Sequence, residues 1–100
     1  MDRLQLQALL ELLLGSTNVY FQPPAGVQMQ YPAIVYEWDD TDTRFADNRP
    51  YRHIRRYQVT VIDRDPDSVI PDKVADLPMC TFNRAFSAED LNHKIFDLYF

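Results

Sequence analysis

Three side chains of this sequence could act as a nucleophile, a base or a metal ligand: Cys80, His53 and His93. A cysteine beside a histidine can form a nucleophilic pair, and all three together could supply three zinc ligands. No two of them have the short spacing of a zinc site, and Cys80 is expected as a small buried thiol in a strand beside Phe82. We expect His53 at an exposed basic strand end and His93 hydrogen-bonded locally in a tight turn. The sequence therefore predicts no catalytic or metal site here.

Carboxylates are concentrated in the segment from Asp39 to Arg44. A calcium loop of the EF-hand type needs acidic residues at alternate positions, a turn glycine and a distal glutamate. Here Arg44 occupies the third ligand position and no glycine follows it. Glu37 and Asp39 fall on one face of a strand, but no partner residues accompany them. The acidic segment is therefore interpreted as a solvated or partner-facing loop.

A basic run follows the acidic one and offers a different chemistry. Residues 37–47 carry five negative charges and one positive, whereas residues 49–56 carry four arginines, interleaved with Tyr51 and His53. Basic and aromatic residues together can bind nucleic acid by phosphate contacts and base stacking. Adjacent blocks of opposite charge also pair with each other, either within one hairpin or between subunits. All three interpretations remain open at this point.

Composition bounds the class of protein. The chain of 100 residues predicts a single domain spanning 1–100, with one modest hydrophobic core. A net charge of −5 and a pI near 4.7 argue against a general nucleic-acid binder and against docking on anionic lipid. One cysteine excludes an intramolecular disulfide and favours a reducing cytoplasm. We expect no secretory signal and no membrane span.

An amphipathic helix is predicted from about Asp2 to Leu14. Asp2 can cap it, and Gly15 can end it in the left-handed region. Its apolar stripe follows the i, i+3, i+4 spacing of a helix and comprises Leu6, Leu9, Leu10, Leu13 and Leu14.

Strands are predicted in the middle of the chain. They cover residues 18–22, 31–38 and 52–62, and residues 39–50 between the last two lack any period. We expect that segment to be a long loop that is poorly ordered or extended in isolation, with Phe45 able to anchor it on a neighbour.

The last third predicts a short helix and a hairpin. Asp65-Pro66 resembles a helix start, although Pro71 also allows a helix that begins near Ile70. Strands are predicted over residues 79–86 and 91–100, with a turn between them. Since strands come in runs and not in alternation with helices, we expect an α+β fold. Its sheet should be mainly antiparallel, with an N-terminal helix and a second short helix packed on it.

Several stretches occur in an order that resembles the tail terminator, or tail completion, proteins of long-tailed bacteriophages and prophages. After the amphipathic helix come residues 18–24 (NVYFQPP), 31–36 (YPAIVY), 56–64 (RYQVTVIDR) and 70–71 (IP), and the chain closes on residues 82–84 (FNR), 90–93 (DLNH) and 96–100 (FDLYF). The most specific part of the resemblance is the order of three stretches: the YPAIVY strand, a long polar segment and a Tyr-x-Val-x-Val strand. The resemblance spans nearly the whole chain.

The resemblance implies a structural protein that is not an enzyme and has no cofactor. It implies a ring, typically a hexamer, that caps the tail tube, stops its polymerisation and joins the tail to the head connector. The implied partners are copies of itself, the tail tube protein and the connector or stopper; DNA would pass through without sequence-specific binding, and no membrane is involved. The implied location is the head-proximal end of the virion tail, after assembly in the host cytoplasm.

Contact residues are predicted along the charged segment. The set is Asp39, Asp40, Asp42, Phe45, Arg49, Arg52, Arg55 and Arg56. Two alternatives accompany the terminator interpretation. One is a head-completion stopper or another head–tail connector protein, and the other is a small nucleic-acid-binding or regulatory protein that uses the basic run from Arg49 to Arg56.

Overall fold

The fold is known from a computed structural model that describes the backbone of residues 3–46 and 49–100, and the side chains of residues 3–39 and 55–100. Its elements confirm the predicted α+β class and the predicted order. They are α1 (Arg3–Leu14), β1 (Val19–Phe21), β2 (Ala33–Ala46), β3 (Arg49–Asp63), α2 (Ile70–Ala75), β4 (Cys80–Ala88) and β5 (Leu91–Tyr99). The predicted capping residue Asp2 lies outside the described residues.

All five strands form one sheet, in the order β1-β2-β3-β5-β4. β1 pairs with β2 in parallel, and every other neighbouring pair is antiparallel. The sheet is therefore mainly antiparallel, as predicted. Its two edge strands are β1, which has three residues, and β4, which has nine.

The core lies between one face of the sheet and the two helices. Tyr36, Val59 and Phe96 occupy one row across β2, β3 and β5, and paired residues point to the same face. The predicted stripe of α1 supplies Leu6 and Leu10, which are fully buried. The rest of this core comprises Val19, Ile34, Tyr57, Val61, Ile70, Val74 and Leu98. We call this side of the sheet the helix-covered face.

The second helix begins at Ile70, with Pro71 in its first turn. Asp65-Pro66 is not its start, so that prediction was wrong. The carboxylates of Asp63 and Asp65 instead accept hydrogen bonds from backbone N–H groups two residues further on, at 3.0 and 2.9 Å. Such local side-chain bonds stabilise turns in place of helix.

The prediction of a loop over residues 39–50 was wrong as well. Residues 39–46 belong to β2 and residues 49–50 belong to β3. Antiparallel pairing between the two strands satisfies their backbone groups, and Thr41, Thr43 and Phe45 supply β-prone residues at alternate positions. Asp47 and Asn48, which the loop prediction also covered, lie outside the described residues.

β2 and β3 continue well past the other strands. β5 pairs with β3 only as far as the Arg56–Tyr99 partners, and β1 pairs with β2 only over Ile34–Tyr36. Residues 40–46 and 49–55 therefore form a two-stranded ribbon beyond the sheet, which we call the arm. The molecule accordingly measures 51 × 24 × 23 Å along its principal axes.

Candidate assembly surface

The base of the arm is held by one ion pair and one aromatic contact. Nε of Arg56 donates to Oδ2 of Asp39 at 3.0 Å. Hydrogen bonds to Tyr99 and then to Asp39 raise the pKa of Arg56 above its ordinary value. The guanidinium of Arg55 lies 5.4 Å from the centre of the Trp38 ring. These contacts fix the direction in which the arm leaves the sheet.

Strand register places opposite charges on partner residues only at the base of the arm, and Arg44 is the Cα partner of Arg52 further out. Asp40 is the Cα partner of Arg56, and Asp42 is the partner of Ile54. Of the two arrangements that the sequence left open, pairing within the hairpin therefore occurs at Asp39 and Arg56. The backbones of the other predicted contact residues run in the arm strands, and their side chains lie outside the described residues: Asp40, Asp42, Phe45, Arg49 and Arg52.

Cys80 and His93 do not come together. Cys80 pairs with Leu98 at one end of the β4–β5 hairpin, and His93 pairs with Phe86 near the other. Five residues of strand separate them, which is about 17 Å. Burial, with a smaller contribution from the charge of Asp97, raises the pKa of the half-buried Cys80 thiol.

His93 lies within β5, so its predicted place in a tight turn was wrong. Its ring stacks on Phe86, with centroids 4.5 Å apart and planes 7° from parallel. The buried Nδ1 atom has no hydrogen-bond partner among the described residues, so the predicted local hydrogen bond through this atom is not formed.

The carboxylates near the start of the arm are not arranged as a pair. A bulge lies between Trp38 and Asp40, Glu37 stands opposite Gln58, and Asp39 is engaged by Arg56. Within the described part of the chain, no group of three His, Cys, Asp or Glu side chains could hold a metal ion.

The outer edge of β4 is the most exposed part of the sheet. No strand among the described residues pairs with this edge. Every β4 residue after Cys80 is exposed, and Phe82 and Phe86 retain 55% and 45% of their accessible surface. An exposed strand edge is a ready template for pairing with another chain. The sequence predicted this strand but gave no sign that it lies at an edge.

The two edges of the sheet are protected differently. β1 is short and Pro23-Pro24 follows it, which limits further pairing. β4 contains no proline and its only charged residue is Arg84. Its bulge at Asn83, whose side chain donates to the carboxylate of Asp97 at 3.1 Å, is its one irregularity.

A shallow groove of about 270 Å³ lies beside this edge on the helix-covered face. Phe82 forms one wall, and its ring meets the Phe96 ring edge-on at 5.6 Å. Asp72 and Lys94 add one charge of each sign to the lining.

The outer side of α1 is a second apolar surface. Leu4 and Leu12 retain 66% and 79% of their accessible surface, and Ala8 between them is also exposed. These residues are spaced four apart and share one face of the helix. The apolar spacing predicted the buried stripe of this helix but not the exposed one.

Searches with protein-family models, among curated proteins and among solved structures found no match to this chain. In the described residues, no helix has the length and apolar character needed to cross a membrane.

Proposed function

We propose that this chain is a structural assembly protein of the phage tail-terminator type. It forms a ring on the finished tail tube, stops tube polymerisation and presents a surface to the head connector. The proposal rests on the sequence resemblance over nearly the whole chain. It is supported by a molecule whose exposed features are surfaces for association.

The observation that carries the proposal is the arm. Seven residues on each strand continue beyond the sheet as a two-stranded ribbon, and no further strand of the described chain pairs with it. An isolated hairpin of this kind is marginally stable in water, because it buries little apolar surface. A protein gains from such an extension when another molecule packs against it.

Within this proposal the predicted contact residues divide into two groups. Asp39 and Arg56 pair with each other, and Arg55 lies over Trp38, so these residues set the base of the arm. The residues further along are the ones proposed to contact neighbouring subunits: Asp40, Asp42, Phe45, Arg49 and Arg52. The exposed Leu4–Leu12 stripe of α1 is proposed to face the tube or the connector.

The other two functions differ in what they predict for binding. A head-completion stopper would bind the head connector without capping the tube. A nucleic-acid-binding protein would need the basic run to be available, but Arg56 is engaged by Asp39. The assembly function is therefore the better supported one, and DNA binding that weakens with salt would favour the alternative.

The test is a capping experiment with purified tail tube protein. Tube assembly with and without this chain is followed by electron microscopy, and we expect a ring at one end of each tube and shorter, more uniform tubes. A chain that lacks residues 41–55 should leave the tubes uncapped. Tubes that grow to uncontrolled length with no wild-type chain bound would contradict the proposal, and binding to the connector alone would indicate a stopper.

A further inference from the structure

We propose that the outer edge of β4 in one copy pairs with the arm of a second copy, along the outer edge of its β2 strand. The contact joins the sheets of successive copies into one continuous sheet. This inference deepens the proposed function and rests on it, because it names the contact that builds the ring.

In the described chain, both edges are unpaired over enough residues to form a strand-to-strand contact. β4 offers nine residues, and nothing pairs with its outer side. β1 covers β2 only over Ile34–Tyr36, so the outer side of residues 40–46 faces no strand. Strand addition at such edges gives affinity through backbone hydrogen bonds.

The topology gives these two edges the right direction for each other. β2 is antiparallel to β3, β3 to β5, and β5 to β4, so β4 runs opposite to β2. Within the plane of the sheet, the outer edge of β2 and the outer edge of β4 point in opposite directions. A second copy placed beside the first in the same orientation therefore adds its β2 antiparallel to β4. This contact is head-to-tail, and such a contact closes into a ring when its rotation allows.

The offset between the two edges sets the tilt of the strands. The middle of β4, at Arg84, lies level with Val35 of β2 through the ladder partners Ile95 and Thr60. The middle of the arm strand is eight residues further on, which is about 26 Å, and the four strand spacings from β2 of one copy to β2 of the next span about 19 Å. The strands would then tilt by roughly 54° from the ring axis, which is steeper than the tilt of about 35–45° in typical barrels.

Charge favours the same pairing. Arg84 is the only charged residue of β4, and it is exposed. The β2 strand of the arm carries Asp40 and Asp42 in its sequence, with one arginine, Arg44. Opposite charges on neighbouring strands stabilise their pairing, whereas β4 against β4 would bring two arginines together.

Ladder geometry identifies the amides that such pairing would use. The carbonyl of Met79 accepts from the amide of Tyr99, so the β4 amides that alternate with this position, including that of Ala85 after the bulge, point away from β5. The carbonyl of Tyr36 accepts from the amide of Gln22, and the bulge between Trp38 and Asp40 shifts the alternation by one residue, so the amides of Thr41 and Thr43 point outward.

The test removes one outward amide at a time. Ala85→Pro and Thr43→Pro each delete a donor that no strand of the described chain uses, and Ala85→Val and Thr43→Val are the matched controls that keep it. We expect each proline variant to weaken self-association about tenfold or more, as measured by sedimentation velocity over a concentration series. The valine variants should associate as the wild type does, and circular dichroism melting should show that all four remain folded.

Mixing the two proline variants tests which edges meet. Each variant keeps one intact edge, so the mixture should form two-chain species and nothing larger. If Thr43→Pro alone associates as the wild type does, the arm is not the occupant of the β4 edge and the inference is wrong. Charge reversal by Arg84→Glu keeps every amide and provides a second probe, which should also weaken association.

Failure of this inference is distinguishable from failure of the proposed function. A wild-type chain that stays monomeric at every concentration, alone and on tubes, overturns the inference. Tubes that are still capped by the proline variants would show that the tail function holds through another contact. Proline variants that self-associate normally would overturn the inference whatever happens on tubes.

Discussion

The same two strands, β2 and β3, pass through two different environments. In the sheet they lie between β1 and β5 and under the helices, where Ile34, Tyr36 and Val59 are fully buried. In the arm they keep their antiparallel register, and no further strand of the described residues lies beside them. One continuous hairpin thus serves first as the centre of a core and then as an extension.

The difference shows which interactions specify each half. Burial of apolar surface and aromatic packing hold the first half, and they fix its register because a slip by one residue would expose the buried set. The second half has backbone hydrogen bonds, and its β2 strand carries charged residues at every second position from Asp40 to Arg44. These features specify register more weakly than burial does. The first half is therefore expected to determine stability, and the second half to determine association.

The largest expected effect on stability is at Tyr36. Its ring packs against Phe21 and Tyr57 at centroid distances of 4.9 and 6.0 Å, and its hydroxyl contacts Arg3 and Gln7 at 3.1 and 2.5 Å. Truncation of a large buried aromatic side chain costs about 3–5 kcal/mol, because it leaves a cavity and unpaired groups. We expect Tyr36→Ala to lower the free energy of unfolding by that amount in a urea titration, or to leave the chain unfolded.

The matched control for this change is Tyr36→Phe, which keeps the ring and removes only the hydroxyl. It should cost much less, about 1 kcal/mol. If the two variants were equally destabilised, the hydroxyl contacts and not the packing would hold this half of the hairpin.

A smaller effect is expected at alkaline pH. Burial raises the pKa of the Tyr36 hydroxyl above its ordinary value, and the hydrogen bond from Arg3 opposes this shift. The folded chain therefore holds this proton more tightly than the unfolded chain does. The resulting stability is fully present below the ordinary tyrosine pKa of about 10, and it is lost as the pH rises through the higher folded value.

This dependence is measured by urea unfolding at a series of pH values. The wild type should lose stability above about pH 10, and Tyr36→Phe should show a shallower decline. Parallel declines in both proteins would mean that other groups cause the loss.

The smallest effect on stability is expected from removing the arm. Asp40 and Arg56 are Cα partners, so an Asn-Gly turn can replace residues 41–55 and close the hairpin there. The buried core side chains are untouched, and the replacement removes the contact of Arg55 with Trp38 and the hydrogen bond from the Phe100 amide to the Arg55 carbonyl. We expect the free energy of unfolding to change by no more than about 1 kcal/mol. A loss as large as that of Tyr36→Ala would show that the arm belongs to the folding unit of the sheet.

The predictions from sequence were most accurate where hydrophobic periodicity was strong. Four of the five residues of the predicted α1 stripe belong to the core or pack on it, the exception being Leu9, and the alternation of Tyr57, Val59 and Val61 is confirmed. Periodicity works there because those residues face one common core. The acidic segment has no apolar period, so the prediction of a loop there was wrong.

The candidate surface was predictable only in part. The blocks of opposite charge predicted contact residues in the segment that forms the arm. The pairing of Asp39 with Arg56 was one of the arrangements that the sequence left open. The exposed edge of β4 was not predicted, because Phe82 and Phe86 look like core residues in a sequence. Their exposure depends on the position of β4 in the sheet, which no local pattern encodes.

By itself, the sequence determined the number and type of elements, the single core and the charge of the hairpin, since these follow from local propensity and apolar spacing. The tertiary structure alone decided that β1 pairs in parallel and that the hairpin runs on as an arm. It also placed β4 at the end of the sheet, where no other described strand pairs with its outer edge. The physical reason is that strand order depends on which long-range pairings together bury the most apolar surface. The local sequence of one strand does not specify which other strands become its neighbours.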